Sequence, residues 1–377
     1  MRIRALGPLA KTLSISTLLL ALAACGTQNQ SNNICSGCAF LYATTNTNQI
    51  LTFKLDSSGA PGTPASIQGA ANSPDIAAGN GGPVYLADTH SNAIDGFVVN
   101  AGDGGLTSMT GSPFSLGGPA GNPAGLLASG TLLYAGDTNG TVSAFNIAAD
   151  GTLAAIPGSP YAAGVAPLNL VWGFTNAGNV PFLYAADSVG GGIWGFTAGS
   201  DGALTPVAGS PFATPAGSSP AAMAPGGDLI SGPILYVALR GLNQVAAFSI
   251  DASGALTPLP GSPFVAGGGP VSLLAYANFL YAMNGLDHTI SVYSMDQNTG
   301  GLTEIMGSPF PAGTASGTLI TDLGGVLYVP DAQSNSIVAF GVDGPTGSLS
   351  PLAGSPFPAG VGPVALTAVR FPVVDPQ

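Results

Sequence analysis

The sequence predicts an all-β protein, a seven-bladed β-propeller of four-stranded antiparallel blades. First, a tyrosine closing a Leu-Tyr-Val-Ala-like run recurs seven times, at steps of 43, 49, 50, 52, 45 and 47 residues. Second, an aromatic residue follows each tyrosine eleven or twelve residues later. Third, six of the seven copies end in Gly-Ser-Pro-Phe or Gly-Ser-Pro-Tyr. A period of about 48 residues indicates an array of small repeated sheets. The repeated tyrosines are Tyr42, Tyr85, Tyr134, Tyr184, Tyr236, Tyr281 and Tyr328.

The fifth copy shows how one repeat divides into strands. Its first run is apolar throughout, which is typical of a strand covered on both faces. Residues 251–254, Asp-Ala-Ser-Gly, have the composition of a hairpin loop whose glycine takes a positive φ. The third strand contains Pro258, which lacks a backbone N–H, so we expect this strand at the outer edge. The predicted strands of this copy are residues 235–239, 244–250, 256–259 and 270–275.

The two ends of the repeat array predict how the ring closes. No Pro-x-x-Leu-Ala segment precedes Tyr42, whereas one follows the last Gly-Ser-Pro-Phe, at residues 363–370. We therefore expect the C-terminal strand to join the first blade as its innermost strand. The predicted propeller covers residues 40–370, and residues 371–377 form a C-terminal tail.

The N-terminus has the pattern of an export signal. Residues 1–24 carry Arg2, Arg4 and Lys11 and then an apolar run that is too short to span a bilayer. The run ends in Leu-Ala-Ala before Cys25, which resembles a bacterial lipobox. An ordinary signal peptide with a chance cysteine is the alternative. The lipobox interpretation predicts an acylated Cys25 and an exported, lipid-anchored protein in the periplasm or at the cell surface. Gly26 follows the cysteine, and by resemblance to Gram-negative lipoproteins it favours the outer membrane.

Residues 25–39 read as the lipidated cysteine and a polar tether. Cys35 and Cys38 form a C-x-x-C motif within it. Haem attachment requires a histidine next, but Ala39 follows, and a structural zinc site requires four ligands. In an oxidising compartment we therefore expect a local disulfide between Cys35 and Cys38.

The charge balance limits the classes of partner. Charged residues make up only 6% of the chain. Residues 1–24 contain three of the six basic residues and no acidic one, so the remainder has a formal charge of −15. Such a surface repels nucleic acid and offers little to hold phosphate. We expect a monomer whose partner, apart from the membrane, is a neutral small molecule or a protein.

Four aspartates recur at one position, three residues after the tyrosine. In a four-stranded meander this position falls on the face that also carries the loops between blades. One interpretation is turn capping, in which each carboxylate accepts N–H groups of its own loop. The other is a ring of carboxylates that holds a divalent cation such as Ca²⁺. The aspartates are Asp88, Asp137, Asp187 and Asp331.

The same loops carry both histidines and one arginine. His90 and His288 fall in blades two and six, three blades apart, so one metal ion is a poor explanation for the pair. Arg240, Asp287 and His288 fall in adjacent blades and form the best candidate catalytic cluster, suited to activating water beside an ester carbonyl. The alternative is that an exposed loop histidine has no role.

The repeat motifs resemble those of the bacterial seven-bladed propeller lactonase family, which includes 6-phosphogluconolactonase-like and YVTN-repeat proteins. The resemblance covers about residues 40–370 and implies the propeller fold and lactone hydrolysis. The family's Asn-Arg-Gly-His-Asn-like turn matches residues 239–243, which keep Arg240, Gly241 and Asn243. Residues 167–170, where the resemblance leads us to expect histidines, contain none.

Two functional hypotheses follow. The first is a membrane-tethered propeller that binds a ligand or a partner, and it is favoured by the scarcity of His, Arg and Lys. The second is a lactone hydrolase, and it is favoured by the family resemblance. Fold alone does not separate a binding protein from an enzyme.

Overall fold

A computed structural model describes residues 38–69, 73–79, 82–118, 121–174, 181–226, 232–315, 317–318, 320–321 and 325–371. The predicted signal segment, Cys25, Cys35 and residues 372–377 lie outside this part of the chain. The described residues form seven antiparallel sheets. Within them, no helix has the length and apolar character needed to cross a membrane.

The strands are numbered along the chain, and each blade is named in the order in which its tyrosine occurs. Blade 1 contains β1 (Ala39–Thr45), β2 (Gln49–Lys54) and β3 (Ala65–Gln68), and blade 2 contains β4 (Ile76–Ala78), β5 (Val84–Asp88), β6 (Ala93–Val99), β7 (Leu106–Ser108) and β8 (Phe114–Ser115). Blade 3 contains β9 (Pro123–Ser129), β10 (Leu132–Asp137), β11 (Thr141–Ile147), β12 (Leu153–Ala155) and β13 (Tyr161–Ala162). Blade 4 contains β14 (Pro167–Phe174), β15 (Pro181–Asp187), β16 (Gly192–Ala198), β17 (Leu204–Pro206) and β18 (Phe212–Ala213).

The remaining blades follow the same order. Blade 5 contains β19 (Pro220–Gly226), β20 (Ile234–Leu239), the 3₁₀ helix η1 (Arg240–Leu242), β21 (Gln244–Ile250), β22 (Leu256–Pro258) and β23 (Phe264–Val265). Blade 6 contains β24 (Pro270–Tyr276), β25 (Phe279–Asn284), β26 (Thr289–Met295), β27 (Leu302–Glu304) and β28 (Phe310–Pro311). Blade 7 contains β29 (Ile320–Thr321), β30 (Val326–Asp331), β31 (Ser336–Val342), β32 (Leu349–Pro351) and β33 (Phe357–Pro358), and the last strand, β34 (Pro363–Arg370), returns to blade 1.

Each blade is a meander of four strands, which we letter a to d from the innermost to the outermost. This order is β34-β1-β2-β3 in blade 1 and β19-β20-β21-β22 in blade 5. The predicted fold class, a seven-bladed β-propeller, is confirmed. Six blades also carry a fifth strand of two residues, which pairs with the start of strand c.

The C-terminal strand closes the ring as the sequence predicts. Strand β34 pairs antiparallel with β1, with Tyr42 opposite Thr367 and Ala39 opposite Arg370. Beyond the last strand pair, the Phe371 N–H donates to the Cys38 carbonyl at 2.9 Å. The first blade is therefore built from both ends of the repeat array.

The repeated tyrosines join neighbouring blades. Each is fully buried and donates its hydroxyl hydrogen bond to a glycine carbonyl in the c–d loop of the next blade. Burial also raises the pKa of six of these hydroxyls, those of Tyr42, Tyr85, Tyr134, Tyr184, Tyr236 and Tyr281, so they remain protonated donors. The seven links run from Tyr42 to Gly104, Tyr85 to Gly151, Tyr134 to Gly202, Tyr184 to Gly254, Tyr236 to Gly300, Tyr281 to Gly347 and Tyr328 to Gly59.

The acceptor position requires glycine for two reasons. Gly254 has φ of 84°, as expected for the glycine of this hairpin loop, and most side chains disfavour this conformation. A Cβ atom at Gly254 would also lie 2.4 Å from the Phe182 ring. The close approach of loop and ring explains why the c–d loop can reach the tyrosine hydroxyl.

The Gly-Ser-Pro-Phe motif fixes the outer edge of six blades. Its serine Oγ accepts the backbone N–H of strand c, as from Ala247 to Ser262 at 2.9 Å. The Ser–Pro peptide bond is cis in all six copies, and the following aromatic residue begins the fifth strand. The motif therefore serves the repeat.

Cys38 lies at the start of the propeller and is buried. It is disulfide-bonded. The other two cysteines of the chain, Cys25 and Cys35, lie outside the described residues. Pairing of Cys38 with Cys35 remains a prediction.

Candidate functional site

The turns between strands b and c and the loops that enter each blade lie on one face, which we call the b–c face. Backbone hydrogen bonds tie each turn to the neighbouring loop. In blade 6, Gly285 N–H donates to the Gly269 carbonyl at 2.9 Å, and Leu286 N–H donates to the Gly268 carbonyl at 3.0 Å. In blade 4, Ser188 N–H donates to the Ala166 carbonyl at 3.1 Å. This face presents all the candidate residues that the sequence analysis named in the loops.

The four recurrent aspartates are buried, and each is used by its own blade. Asp137 accepts the N–H of Asn139 at 2.8 Å and the hydroxyl of Thr141 at 3.0 Å. Asp187 accepts the N–H groups of Val165 and Ala166, both at 2.9 Å, from the loop entering its blade. These hydrogen bonds explain the carboxylates as caps that hold turn and loop together.

The other two aspartates act in the same way. Asp88 accepts the N–H of His90 at 2.9 Å and the hydroxyl of Ser91. Asp331 accepts the hydroxyl of Thr314 and the N–H of Ser334. Across the described part of the chain, no three His, Cys, Asp or Glu side chains are grouped so that they could hold a metal ion.

Blade 2 carries a second carboxylate beside its cap. Asp95 of β6 is half-buried, and its burial together with the charge of Asp88 raises its pKa to about 6. Asp95 could not be recognised from sequence spacing, because its neighbour Asp88 comes from the adjacent strand rather than from the same loop.

Asn284 occupies the aspartate position in blade 6 and was not predicted from the sequence to have a role. Asn284 stands three residues after Tyr281, so the repeat itself carries the signal. Its side chain is fully buried, and Nδ2 donates to Thr289 Oγ1 at 3.1 Å and to Ser291 Oγ at 2.9 Å. Asn284 Oδ1 has no hydrogen-bond partner among the described residues. The amide therefore organises the turn that carries His288.

The b–c turn of blade 5 differs from the others. Leu239 replaces the capping aspartate, and the turn is the 3₁₀ helix η1, with Arg240 exposed at its first position. Asn243 ends the helix in the left-handed conformation, with φ of 56°. Its Oδ1 accepts the N–H of Gly269 at 2.8 Å, which links blade 5 to the loop entering blade 6.

His288 occupies the equivalent left-handed position in blade 6, with φ of 54°. Its Nδ1 lies 3.1 Å from the carbonyl oxygen of Ala315, in the loop entering blade 7. Because a carbonyl oxygen only accepts, Nδ1 must carry the hydrogen. In the neutral ring Nε2 then has a free lone pair and can accept a proton. The inter-blade hydrogen bond thus selects the tautomer that a general base requires.

The three members of the candidate catalytic cluster share one sector of the face without direct bonding. Asp287 is exposed and accepts the N–H of Gly268. Within the described residues, Arg240, Asp287 and His288 form no hydrogen bond or ion pair with one another. The loop 267–269 connects them, because it contacts both Asn243 of blade 5 and Asp287 of blade 6. His90 is exposed on the b–c turn of blade 2, away from this sector.

A family model of the lactonase, 7-bladed beta-propeller, matches residues 120–353. This segment exceeds half of the chain. The chain belongs to this lactonase family. The matched segment contains Arg240, Asp287 and His288, whereas Asp88 and His90 precede it. No curated protein matches the chain.

Solved structures agree with the family's fold. A candidate 6-phosphogluconolactonase from Bacteroides fragilis has a TM-score of 0.73 at 21% identity, covering 91% of this chain and all of that one. A counterpart from Bacteroides uniformis has a TM-score of 0.72 at 20% identity, covering 89% and 100%. A periplasmic gluconolactonase from Pseudomonas aeruginosa has a TM-score of 0.66 at 16% identity, covering 88% and 99%. At these identities the likeness concerns the fold.

Proposed function

We propose that the protein hydrolyses neutral lactones on the b–c face of blades 5 and 6, with His288 as the general base. The hydrogen bond from His288 Nδ1 to the Ala315 carbonyl carries this proposal, because it leaves Nε2 as the proton acceptor. Membership of the lactonase family supports the reaction class. The lactonase names of its structural relatives point in the same direction.

The proposed hydrolysis uses one general base and one cationic side chain. His288 Nε2 takes a proton from water as the water oxygen attacks the lactone carbonyl carbon. Arg240, on the neighbouring blade, stabilises the negative charge that develops on the carbonyl oxygen. When the tetrahedral intermediate collapses, the ring C–O bond breaks and the proton passes from the imidazolium to the leaving alkoxide. The product is a hydroxy acid.

The distribution of basic residues favours an uncharged substrate. Lys54 ends strand c of blade 1 and Arg370 ends strand a, so both lie at the face opposite the b–c turns. Among the basic residues of the described chain, Arg240 alone lies on the b–c face. One exposed guanidinium can polarise a carbonyl, but it provides little to hold a phosphate against the chain's strong negative charge.

A conservative substitution tests the base. Asparagine holds the same left-handed position in blades 1, 2, 5 and 7, so His288→Asn retains the turn and removes the base. We expect turnover of a neutral lactone to fall by about 100-fold or more with an unchanged melting temperature. The matched control is His90→Asn, which should retain full turnover.

Unchanged turnover in His288→Asn would refute the role of His288. Absence of turnover by the wild-type protein over a panel of lactones would refute the hydrolase. In that case the first hypothesis, a propeller that binds a ligand or partner without converting it, would replace it.

We further propose that Cys25 anchors the exported protein to a membrane through lipid. The lipobox-like residues before Cys25 support this proposal. Strand β1 begins at Ala39 on the face opposite the b–c turns, so the tether reaches the propeller there and the b–c face points away from the membrane. Cys25→Ser should move the protein from the membrane fraction to the soluble fraction. Mass spectrometry that finds an unmodified Cys25 in the mature protein would contradict the anchor.

A further inference from the structure

A groove of about 350 Å³ opens between blades 6 and 7, next to the segment 312–315 that hydrogen-bonds to His288. Its walls combine apolar and proline side chains with one carboxylate. The volume falls in the range of small-molecule sites in proteins. The residues that define it are Pro311, Gly313, Asp331, Val338, Phe340 and Pro351.

The repeat shows what fills the same place between blades 3 and 4. Val338 stands seven residues after Asp331, and Trp194 stands seven residues after Asp187. Trp194 stacks on Phe196, with ring centroids 6.5 Å apart and an interplanar angle of 18°. Phe340 is the counterpart of Phe196. In blade 4 an indole therefore lies beside Phe196, the counterpart of the phenylalanine that lines the groove in blade 7.

The two interfaces differ in the free space beside an equivalent glycine, Gly164 before blade 4 and Gly313 before blade 7. A Cβ atom at Gly164 would lie 2.1 Å from Asp187 Oδ2 and 2.6 Å from Trp194 Nε1, so the indole nitrogen lies beside the carboxylate. A Cβ atom at Gly313 would meet only Asp331 Oδ2 within 4 Å, at 3.6 Å. The space that the indole occupies in blade 4 is therefore open in blade 7.

The carboxylate of the groove retains capacity for a donor. Burial opposes ionisation of Asp331, but hydrogen bonds from Thr314 and Ser334 hold its pKa below the usual range. Among the described residues, three groups donate to it, namely the N–H and hydroxyl of Thr314 and the N–H of Ser334. A carboxylate offers about four acceptor positions. Asp187, in contrast, already accepts four backbone N–H groups.

We propose that this groove binds a planar aromatic molecule of indole size that carries an N–H donor. The ring lies beside Phe340 in the place that Trp194 takes in blade 4, and the N–H donates to Asp331. None of its residues belongs to the candidate catalytic cluster, but the groove adjoins the segment 312–315 that hydrogen-bonds to His288.

Binding of indole, followed by saturation-transfer NMR, tests the proposal directly. We expect wild-type protein to bind one indole per chain and to bind N-methylindole at least tenfold more weakly, because the methyl group removes the donor. Val338→Trp should reduce indole affinity at least tenfold, since blade 4 shows that a tryptophan fits this place. Val265→Trp, on the exposed fifth strand of blade 5, is the matched control and should bind as wild type does.

Failure of the wild-type protein to bind indole at millimolar concentration would overturn the proposal. Equal binding of indole and N-methylindole would overturn the donor to Asp331, and this comparison requires no substituted protein. Undiminished binding by folded Val338→Trp would place the ligand elsewhere. Lactone turnover does not enter any of these readouts, so this proposal and the proposed function fail separately.

Discussion

At the inner wall of the ring, Asp75 of blade 2 and Asn169 of blade 4 hold equivalent positions. Asp75 Oδ2 accepts the N–H of Leu126 at 2.7 Å, and Asn169 Oδ1 accepts the N–H of Met223 at 2.8 Å. Each side chain thus joins its blade to the next. Burial raises the pKa of Asp75 to about 6, although the N–H groups of Leu126 and Ile76 oppose the rise. Ionised Asp75 therefore makes the same inter-blade hydrogen bond as Asn169, but burial of its charge lowers the free energy of unfolding.

The separate substitutions Asp75→Asn and Asn169→Asp should change the free energy of unfolding in opposite directions. A carboxyl whose pKa is raised on folding stabilises the fold at low pH, and this contribution is lost as pH rises from about 4 to above 6. We expect Asp75→Asn to raise the free energy of unfolding by about 1–3 kcal/mol at pH 8 and to have little effect at pH 4. Asn169→Asp should lower it at pH 8 and recover at pH 4. Denaturant unfolding at both pH values measures the difference. A pH-independent effect in both variants would contradict the argument.

At the scale of the elements, neighbouring blades are held by the repeated tyrosine-to-glycine hydrogen bonds and by apolar packing. Tyr236 is fully buried and donates to the Gly300 carbonyl at 2.8 Å. Tyr161, in the fifth strand of blade 3, also donates to a carbonyl, that of Pro157 at 3.3 Å, but this bond is exposed to solvent. Comparison of the two tyrosines therefore distinguishes the contribution of a buried hydrogen bond to stability from that of an exposed one.

Removal of the tyrosine hydroxyl should lower the free energy of unfolding clearly at Tyr236 and hardly at all at Tyr161. Tyr236→Phe leaves the Gly300 carbonyl without its donor, so we expect a loss of about 1–3 kcal/mol in the free energy of unfolding. Tyr161→Phe should change it by less than about 0.5 kcal/mol. Chemical denaturation of both variants provides the measurement. Equal losses would show that the link does not depend on burial.

The strand pattern was predicted well because each blade repeats the same local signals. The tyrosine run, the glycine of the c–d loop and the serine–proline motif each fix one part of every blade. The two-residue fifth strand was missed, since a pair such as Phe264 and Val265 is too short to show a period.

At the scale of the whole molecule, the fold depends on joining the first and last segments. Ala39 and Arg370 are paired, so the two strand ends that meet in blade 1 are neighbours in space. Tyr328 of blade 7 donates to Gly59 of blade 1 and completes the ring of links. A seven-membered ring with one incomplete blade would expose apolar surface and unpaired strand edges.

Ring closure can be tested by cutting and by rearranging the chain. Deletion of residues 363–377 removes the innermost strand of blade 1, and we expect the domain to unfold or aggregate. A circular permutant in which residues 363–371 precede Cys38, joined to it by a short turn, retains the same strand pairs, so it should fold. Thermal unfolding compares the two. A truncated protein with the melting temperature of the full chain would refute the closure argument.

Less of the candidate site than of the fold could be predicted from the sequence. Arg240, Asp287 and His288 could be placed on one face because the blade order fixes that face. The tautomer of His288 depends on Ala315, whose position follows from the packing of blades 6 and 7. The capping aspartates could not be distinguished from cation ligands by spacing alone, because both uses place a carboxylate at the end of strand b.

The most direct test of the account is the ratio of kcat/KM for a neutral lactone and for the same lactone carrying a phosphate, measured on the full propeller. We expect at least tenfold preference for the neutral lactone, because Arg240 is the one Lys or Arg side chain on the b–c face of the described chain. Faster hydrolysis of the phosphorylated lactone, or no hydrolysis of either above the buffer rate, would contradict it.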